Sequence, residues 1–250
     1  MFRVARNVAI PVVLVIAVAV VVSILRDEGG DDSAADTSTA PGEGCVLDAP
    51  PPMSIDPAKA YVATVATSEG DFEIALDAQQ APQTVNAFVY EARNGCYDGL
   101  TFHRVAENFV IQGGDPNGDG TGDFGYKLPD EPPADGYAKG MVAMANAGPG
   151  TSGSQFFVVL TDEAVETLES AGGPPFVYSI LGTVTSGFEV AEKIGTYAPE
   201  GGDGPPTTPV TIDSITVAED GTALEPSATT TSAPEGTLPG ESTPPEETTP

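Results

Sequence analysis

The 250-residue sequence contains no tryptophan, one histidine and only two cysteines. A single histidine excludes a histidine-rich zinc centre, and two cysteines exclude a zinc site built from four thiolates. Basic residues are also scarce, because nine Lys and Arg stand against 37 Asp and Glu, for a net charge of −28. A chain this acidic repels the phosphates of nucleic acids, so we exclude nucleic acid as a partner.

One segment of the sequence is long and apolar enough to cross a bilayer, and it runs from residue 8 to residue 25 without a charge. As a helix with a rise of ~1.5 Å per residue, it spans nearly the ~30 Å hydrocarbon core. Arg3 and Arg6 precede it and acidic residues follow it. We therefore expect a single-pass anchor in the cell membrane, with residues 1–7 in the cytoplasm and the rest outside. A cleaved signal peptide is the alternative, and it also exports the chain.

Composition divides the exported part of the chain into three regions. Residues 26–59 are acidic and rich in Gly, Ala, Pro, Ser and Thr, which is typical of a flexible linker. Residues 219–250 are rich in Thr, Pro and Glu and lack Lys and Arg, which predicts a disordered tail. Residues 60–218 lie between them as one domain. Cys45 and Cys96 are both exported, so a disulfide between them is expected, with two free thiols as the alternative.

Short segments of alternating polarity fill residues 60–218 and are typical of strands. Tyr61–Thr67 and Phe72–Leu76 are predicted to form a hairpin. A helix is predicted from Pro82 to Gly95, and a shorter one at Asp162–Ser170. Further strands are predicted at Thr101–Val105, Phe109–Gln112, Met141–Ala145, Gln155–Leu160, Ser179–Val184 and Thr211–Val217. Many short strands with few helices indicate a closed antiparallel barrel rather than a parallel α/β sheet.

Three motifs match known ligand-binding or catalytic patterns by letter only. Residues 148–153 read G-x-G-x-x-G, but a strand rather than a helix follows them. The run from Asp115 matches the first half of a calcium loop, but Tyr126 stands where a bidentate Glu belongs. His103 could act as the base of a serine hydrolase, but the sequence contains no G-x-S-x-G motif to supply the nucleophile. We therefore predict no metal site and no cofactor.

Two longer strings are far more specific. They are FHRVAENFVIQGGD at residues 102–115 and MANAGPGTSGSQFF at residues 144–157. Both closely resemble the signatures of the cyclophilin family of peptidyl-prolyl cis–trans isomerases, and the resemblance extends from about residue 61 to about residue 218. It implies a mainly β fold, a closed eight-stranded antiparallel barrel capped by two helices. It also implies proline-containing polypeptides as substrates. We expect the chain to act as a monomer.

The resemblance assigns the catalytic roles to Arg104, Phe109 and Gln112. The reaction rotates an X–Pro bond against a barrier of ~18–20 kcal/mol and breaks no bond, so it needs no nucleophile, metal or cofactor. In the twisted amide the proline nitrogen becomes a hydrogen-bond acceptor, and Arg104 offers a permanently charged fork of donors. Gln112 would bind the substrate backbone and help to orient Arg104. The predicted substrate-binding residues are Val110, Ala145, Asn146, Ala147, Gln155, Phe157 and Tyr178.

Three departures from the family pattern concern the predicted pocket. Val110 stands where many members have Met, Tyr178 stands where better-known members have His, and the Trp of many members is absent. The pocket stays apolar, and Tyr178 remains a planar donor. We therefore predict an anchored isomerase that acts on exported proteins. A module that binds proline peptides with little turnover is the alternative, and a structural role carried by the tail is a third.

Overall fold

The computed structural model describes residues 44–172 and 178–224. Within these ranges, no helix is long and apolar enough to cross a membrane. The predicted anchor at residues 8–25 and most of the predicted tail at residues 219–250 lie outside the described residues.

Ten strands and three helices form the described part of the chain. In chain order they are β1 (Tyr61–Thr67), β2 (Gly70–Leu76), α1 (Pro82–Arg93), β3 (Arg104–Ala106), β4 (Val110–Gly113), β5 (Met141–Met144), β6 (Phe156–Val159), α2 (Asp162–Gly172), β7 (Ile180–Ser186), α3 (Phe188–Gly195), β8 (Asp203–Gly204), β9 (Ile212–Glu219) and β10 (Thr222–Ala223). The predicted hairpin, both predicted helices and the predicted strands are confirmed to within a few residues. Helix α3 and the two-residue strands β8 and β10 were not predicted.

All ten strands belong to one antiparallel sheet, in the order β10-β9-β1-β2-β7-β5-β6-β4-β3-β8. The predicted mainly β fold is confirmed, but the predicted closed eight-stranded barrel with two helices is wrong. The sheet is open, and the described residues contain three helices.

The sheet fails to close where the segment between β8 and β9 returns to the domain. Pro205, Pro206 and Pro209 lie in this segment, and proline has no N–H with which to extend a ladder. The two sides of the gap meet at an isolated bridge between Thr101 and Thr211. Backbone hydrogen bonds flank this bridge: the N–H of Gly99 donates to the carbonyl of Ile212, and the N–H of Phe102 donates to the carbonyl of Val210. This bridge approximates a barrel wall without completing it.

The sheet has an apolar cluster on each face, because neighbouring residues of a strand point to opposite sides. Val105, Ile111 and Val158 point into the main core with α1 and α3. The other face carries a second cluster, which we call the outer cluster. Its buried members are Ala81, Ala106, Val110, Tyr137, Met141, Ala143, Phe157, Val159, Ala164, Leu168 and Ile180.

Residues 44–59, which the composition assigns to a linker, pack against the domain; we call them the strap. The predicted disulfide is present, and the Cα atoms of Cys45 and Cys96 are 5.4 Å apart. The disulfide therefore fastens the start of the strap to the chain just beyond α1. The backbone N–H of Leu47 also donates to the carbonyl of Phe124 at 2.8 Å.

The strap is held further along by Asn86, which is buried on α1. The side-chain amide of Asn86 donates to the carbonyls of Pro51 and Pro52, both at 3.2 Å. Its carbonyl oxygen accepts from the backbone N–H of Ser54 at 2.8 Å. Proline residues have no N–H to donate, so their carbonyls are the groups through which this segment can be held. The Asn86 amide donates to two of them and thereby fixes the strap on α1.

Candidate functional site

One row of cross-strand partners brings the predicted catalytic residues onto the outer face of the sheet. Arg104 on β3 lies opposite Gln112 on β4, Gln112 lies opposite Phe157 on β6, and Phe157 lies opposite Ala143 on β5. Directly opposed residues share a face of the sheet. Two strings of sequence about forty residues apart are thereby joined in one surface, with the cation at one end and apolar side chains at the other.

The guanidinium of Arg104 has partners on two sides. Its Nη1 donates to Oε1 of Gln112 at 3.1 Å. Its Nε and Nη2 donate to the two carboxylate oxygens of Asp203, each at 2.7 Å. The Arg104 side chain keeps 35% of its surface exposed, so the charged group remains within reach of a ligand.

A chain of side-chain amides continues from Gln112. Its Nε2 donates to Oε1 of Gln155 at 2.9 Å, and Nε2 of Gln155 donates to the carbonyl of Gly122 at 2.9 Å. Each amide therefore accepts on one side and donates on the other, which fixes its orientation. Gly122 can approach because it has no Cβ, which would lie 2.1 Å from Oδ1 of Asp115.

The apolar part of the site is built from both signature strings. Val110 and Phe157 are buried in the outer cluster, while Phe109, Ala145 and Tyr178 pack against it partly exposed. Asn108 between β3 and β4 has a φ of 55°, which turns the chain so that Phe109 meets the cluster. The structure therefore brings five predicted pocket residues together beside Arg104.

Tyr178 lies at the junction of the apolar and charged parts. Its ring packs edge-on against Phe157, with the centroids 5.3 Å apart. Burial raises the pKa of Tyr178, and the nearby Arg104 cation opposes that rise. The phenol therefore stays protonated near neutral pH and can act as a donor.

Tyr137 is a site residue that the sequence did not indicate. Its hydroxyl donates to the carbonyl of Tyr178 at 3.2 Å and accepts from the backbone N–H of Tyr178 at 2.9 Å. Burial raises the pKa of Tyr137 to about 12. It joins the outer cluster with Met141 and Leu168, two further buried residues that periodicity alone could not assign to this face.

The predicted peptide-pairing segment, residues 145–147, is already bonded in part. The N–H of Ala145 donates to the carbonyl of Gln155 at 2.8 Å, and the N–H of Ala147 donates to Oγ1 of Thr151 at 2.8 Å. Asn146 is half-buried, and its Oδ1 accepts from the N–H of Gly148 at 3.2 Å. These bonds hold the segment beside Gln155.

The residues from Asp115 form a loop whose carboxylate is used internally. Oδ1 of Asp115 accepts from the N–H of Asn117 at 2.9 Å, and Oδ2 accepts from the N–H of Asp119 at 3.1 Å. No group of three or more His, Cys, Asp or Glu in the described ranges is arranged to hold a metal ion. The side chain of His103 is half-buried, and burial lowers its pKa.

Comparisons with known proteins identify the family that this chain resembles. Residues 62–217 match the family model described as cyclophilin type peptidyl-prolyl cis-trans isomerase/CLD. The chain is 40% identical over 178 residues to the probable peptidyl-prolyl cis-trans isomerase A of Mycobacterium leprae, covering 62% of this chain and 91% of that protein. It is 36% identical over 179 residues to a putative peptidyl-prolyl cis-trans isomerase of Staphylococcus saprophyticus, covering 61% of this chain and 89% of that protein.

The fold is similar to that of a crystal structure of a cyclophilin type peptidyl-prolyl cis-trans isomerase from Cryptosporidium parvum. That comparison has a TM-score of 0.56 at 27% identity, and covers 64% of this chain and 98% of the other. A second structure of that protein was determined in the presence of the dipeptide Ala-Pro. It has a TM-score of 0.54 at 28% identity, and the match covers 62% of this chain and 96% of that one.

Proposed function

The chain belongs to the cyclophilin-type peptidyl-prolyl cis–trans isomerases, and on that premise we propose that it accelerates X–Pro rotation in exported proteins through Arg104. The observation that carries the proposal is the cross-strand row in which the Arg104 guanidinium lies beside an apolar cluster. The Ala-Pro dipeptide present with the related structure supports an X–Pro segment as the ligand.

The apolar half of the site suits a proline ring. Val110 and Phe157 form the buried floor of the apolar half, and the accessible carbon surface comes chiefly from Phe109 and Tyr178, which pack against the outer cluster partly exposed. Burying the ring fixes the substrate on the proline side of the rotating bond. The side chain of Val110 is smaller than that of Met, so it can bury less apolar surface against a proline ring. We therefore expect weaker binding of the ring than in a pocket with Met at this position.

Arg104 would act on the twisted amide. Rotation removes the amide resonance and leaves a lone pair on the proline nitrogen, which a fixed guanidinium N–H can stabilise. Catalysis then arises because this bond exists only in the transition state and not in either planar isomer. Gln112 accepts from Nη1 and thereby holds that edge of the guanidinium toward the pocket.

Two features support a place outside the cytoplasm. The disulfide between Cys45 and Cys96 is typical of an oxidising compartment. The uncharged run at residues 8–25 can serve as a membrane anchor or as an export signal. Slow X–Pro isomerisation limits the folding of many chains, so newly exported proteins are suitable substrates.

A proline-peptide binding module remains the second candidate function. The altered pocket favours this candidate, because Val110 and Tyr178 stand where many family members have Met and His, and the Trp of many members is absent. Binding of an Ala-Pro peptide without any acceleration of its isomerisation would establish this second function.

Refolding of a protein whose slow phase is limited by X–Pro isomerisation tests the proposal. Catalytic amounts of the full chain should accelerate that phase, and Arg104→Ala should remove most of the effect, on the order of 10²-fold, as for other donors aimed at a transition state. Arg93→Ala, which removes a cation from the end of α1, is the matched control and should keep full activity. Equal activity of the Arg104→Ala chain would refute the role of Arg104.

A further inference from the structure

Asp203 is a charged partner of Arg104 that no signature string contains. Its two carboxylate oxygens accept from Nε and Nη2 of Arg104, each at 2.7 Å, across a separation of 99 residues in the chain. This side-on pairing uses both donors on one edge of the guanidinium. A single-point contact would leave the plane of the group free to rotate, whereas two parallel bonds fix it.

The pairing of the short strand β8 with β3 places Asp203 beside Arg104. Asp203 is the ladder partner of Ala106, and Gly204 is the partner of Val105. Arg104 and Ala106 are two residues apart on β3 and point to the same face, so Asp203 is the diagonal neighbour of Arg104. The contact is therefore set by sheet register as well as by side-chain rotamers.

The loop around β8 is closed at its base, which steadies the strand. The N–H of Thr207 donates to the carbonyl of Tyr197 at 2.7 Å, and the N–H of Gly202 donates to the carbonyl of Pro199 at 2.9 Å. Gly202 has a φ of 83°, a conformation that favours glycine, and its carbonyl accepts from the N–H of Glu107 at 2.7 Å. Asp203 is thus carried by a short, internally bonded loop whose strand β8 pairs with β3 at the edge of the sheet.

The donor count of the guanidinium shows what this arrangement leaves for a ligand. Arginine has five N–H donors. Asp203 takes one on Nε and one on Nη2, and Gln112 takes one on Nη1. The two that remain are one on Nη1 and one on Nη2, and their directions are fixed because Asp203 and Gln112 hold the plane from two sides.

We propose that Asp203 is a positioning residue of the isomerase site, which clamps the guanidinium of Arg104 so that its Nη1 and Nη2 hydrogens face the rotating amide. This role rests on the proposed function. It deepens that function, because it says which donors of Arg104 act. Asp203 does not touch the substrate, and its effect passes entirely through Arg104.

The exposure of the pair indicates why positioning, rather than stability, is its contribution. The side chains of Arg104 and Asp203 are 35% and 52% exposed. Ion pairs this close to water contribute little to folding stability. Immobilising a long side chain on binding is costly, however, and a clamp formed before the substrate arrives removes that cost.

Asp203→Asn tests the clamp, because it keeps the shape of the side chain but loses the charge and one of the two acceptors. We expect kcat/KM for an Ala-Pro peptide to fall on the order of three- to tenfold, chiefly through kcat. Asp71→Asn, on the exposed part of β2, removes the same charge elsewhere and should leave kcat/KM unchanged.

A double-mutant cycle separates positioning from a structural role. In an Arg104→Lys background the side-on fork cannot form, so the loss caused by Asp203→Asn should shrink below about twofold. An equal loss in both backgrounds would overturn the proposal, because Asp203 would then act without Arg104. A gain in activity for Asp203→Asn would also overturn it, since the carboxylate would be suppressing the cation.

The rate at which the Nε hydrogen of Arg104 exchanges with solvent, measured by NMR on the full chain, reports the contact with Asp203 independently of catalytic activity. The N–H should exchange slowly with solvent in the wild-type chain and at least tenfold faster in Asp203→Asn. Equal exchange in both chains would overturn the clamp even if the enzyme is active. A slowly exchanging N–H in a wild-type chain that lacks activity would refute the proposed function and the catalytic purpose of the clamp, while leaving the contact itself confirmed.

Discussion

Glu91 is a carboxylic acid buried on α1 with 2% of its surface exposed. Its two oxygens accept from the hydroxyls of Tyr97 and Tyr126. Burial raises its pKa to about 7, against the effect of the two tyrosine donors, from an ordinary value of 4.5. The folded protein therefore holds this proton at pH values where the unfolded chain has already released it.

The sign of the resulting pH dependence follows from the raised pKa of Glu91. Between about pH 4.5 and pH 7 the folded state binds more protons than the unfolded state, so the free energy of unfolding falls as pH rises. We expect a loss on the order of 3 kcal/mol across this window from this group, and no further loss above it. Urea unfolding at pH 5, 6 and 7.5 measures it.

Glu91→Gln is the matched variant, because it keeps an acceptor and cannot titrate. The difference in unfolding free energy between the wild-type chain and the variant should shift with pH in the stated direction. Burial lowers the pKa of His103, which makes stability rise with pH up to about 6.5, but both chains share that slope. A difference that is constant from pH 5 to pH 7.5 would contradict the assignment to Glu91.

Gly182 on β7 occupies a position that admits no side chain. A Cβ there would lie 2.2 Å from the carbonyl oxygen of Ala75 and 2.9 Å from Cα of Leu76, both backbone atoms of β2. Gly182→Ala should therefore destabilise the sheet by about 1–3 kcal/mol or more, as overpacking does. Thr183→Ala, at the exposed neighbouring position, is the control, and chemical unfolding measures the stability of both variants. Equal stability of the two variants would contradict the prediction, because β2 would then move aside to admit the Cβ.

Among individual residues, the sequence predicted those that lie within its two signature strings. Arg104, Gln112, Phe157 and Gln155 lie together because each string spans neighbouring strands. Asp203 could not be predicted, because its pairing depends on how a distant loop docks on β3. Glu91 could not be predicted as buried either, since polarity indicates exposure unless its tyrosine partners are known.

Among the elements, hydrophobic periodicity predicted those with a strong apolar stripe. Strand β1 alternates buried and half-buried residues along its whole length, and α1 begins at a proline in its first turn. Helix α3 carries only Ala191, Ile194 and Gly195 as buried residues, which is too short a stripe to detect. Strands β8 and β10 have two residues each and exist only through tertiary pairing.

The strap is the element whose contribution is easiest to remove. The disulfide from Cys45 closes a loop of 51 residues in sequence, so it restricts the unfolded chain. Replacing both cysteines by serine should lower the free energy of unfolding by about 3–4 kcal/mol on the chain-entropy model. Urea unfolding with and without reductant measures this loss.

The reductant supplies the control for the disulfide prediction. Reduction should destabilise the wild-type chain by a similar amount and leave the double serine variant unchanged. Reductant that lowers the stability of both chains equally, or of neither, would contradict a stabilising role of the bridge. Since the strap packs on α1 and not on the outer cluster, isomerase activity should persist in whatever fraction stays folded.

Across the whole molecule, one open sheet separates the folding core from the proposed site. The inner face packs the main core with α1 and α3, while the outer face carries Arg104 and the outer cluster. Because successive side chains of a strand point to opposite faces, β3, β4 and β6 each contribute residues to both the main core and the proposed site. The resemblance predicted the mainly β fold but also a closed barrel, whereas the sheet is open, with prolines after β8 that cannot donate to a ladder.

The most direct test of the central claim is exchange spectroscopy on an Ala-Pro peptide, with the full chain beside its Arg104→Ala variant. NMR reads the cis–trans exchange rate and the bound fraction of the peptide in the same sample. We predict that the wild-type chain accelerates exchange and that Arg104→Ala loses it on the order of 10²-fold while still binding the peptide. Binding by both chains without acceleration by either would contradict the account, and would establish a receptor for proline segments.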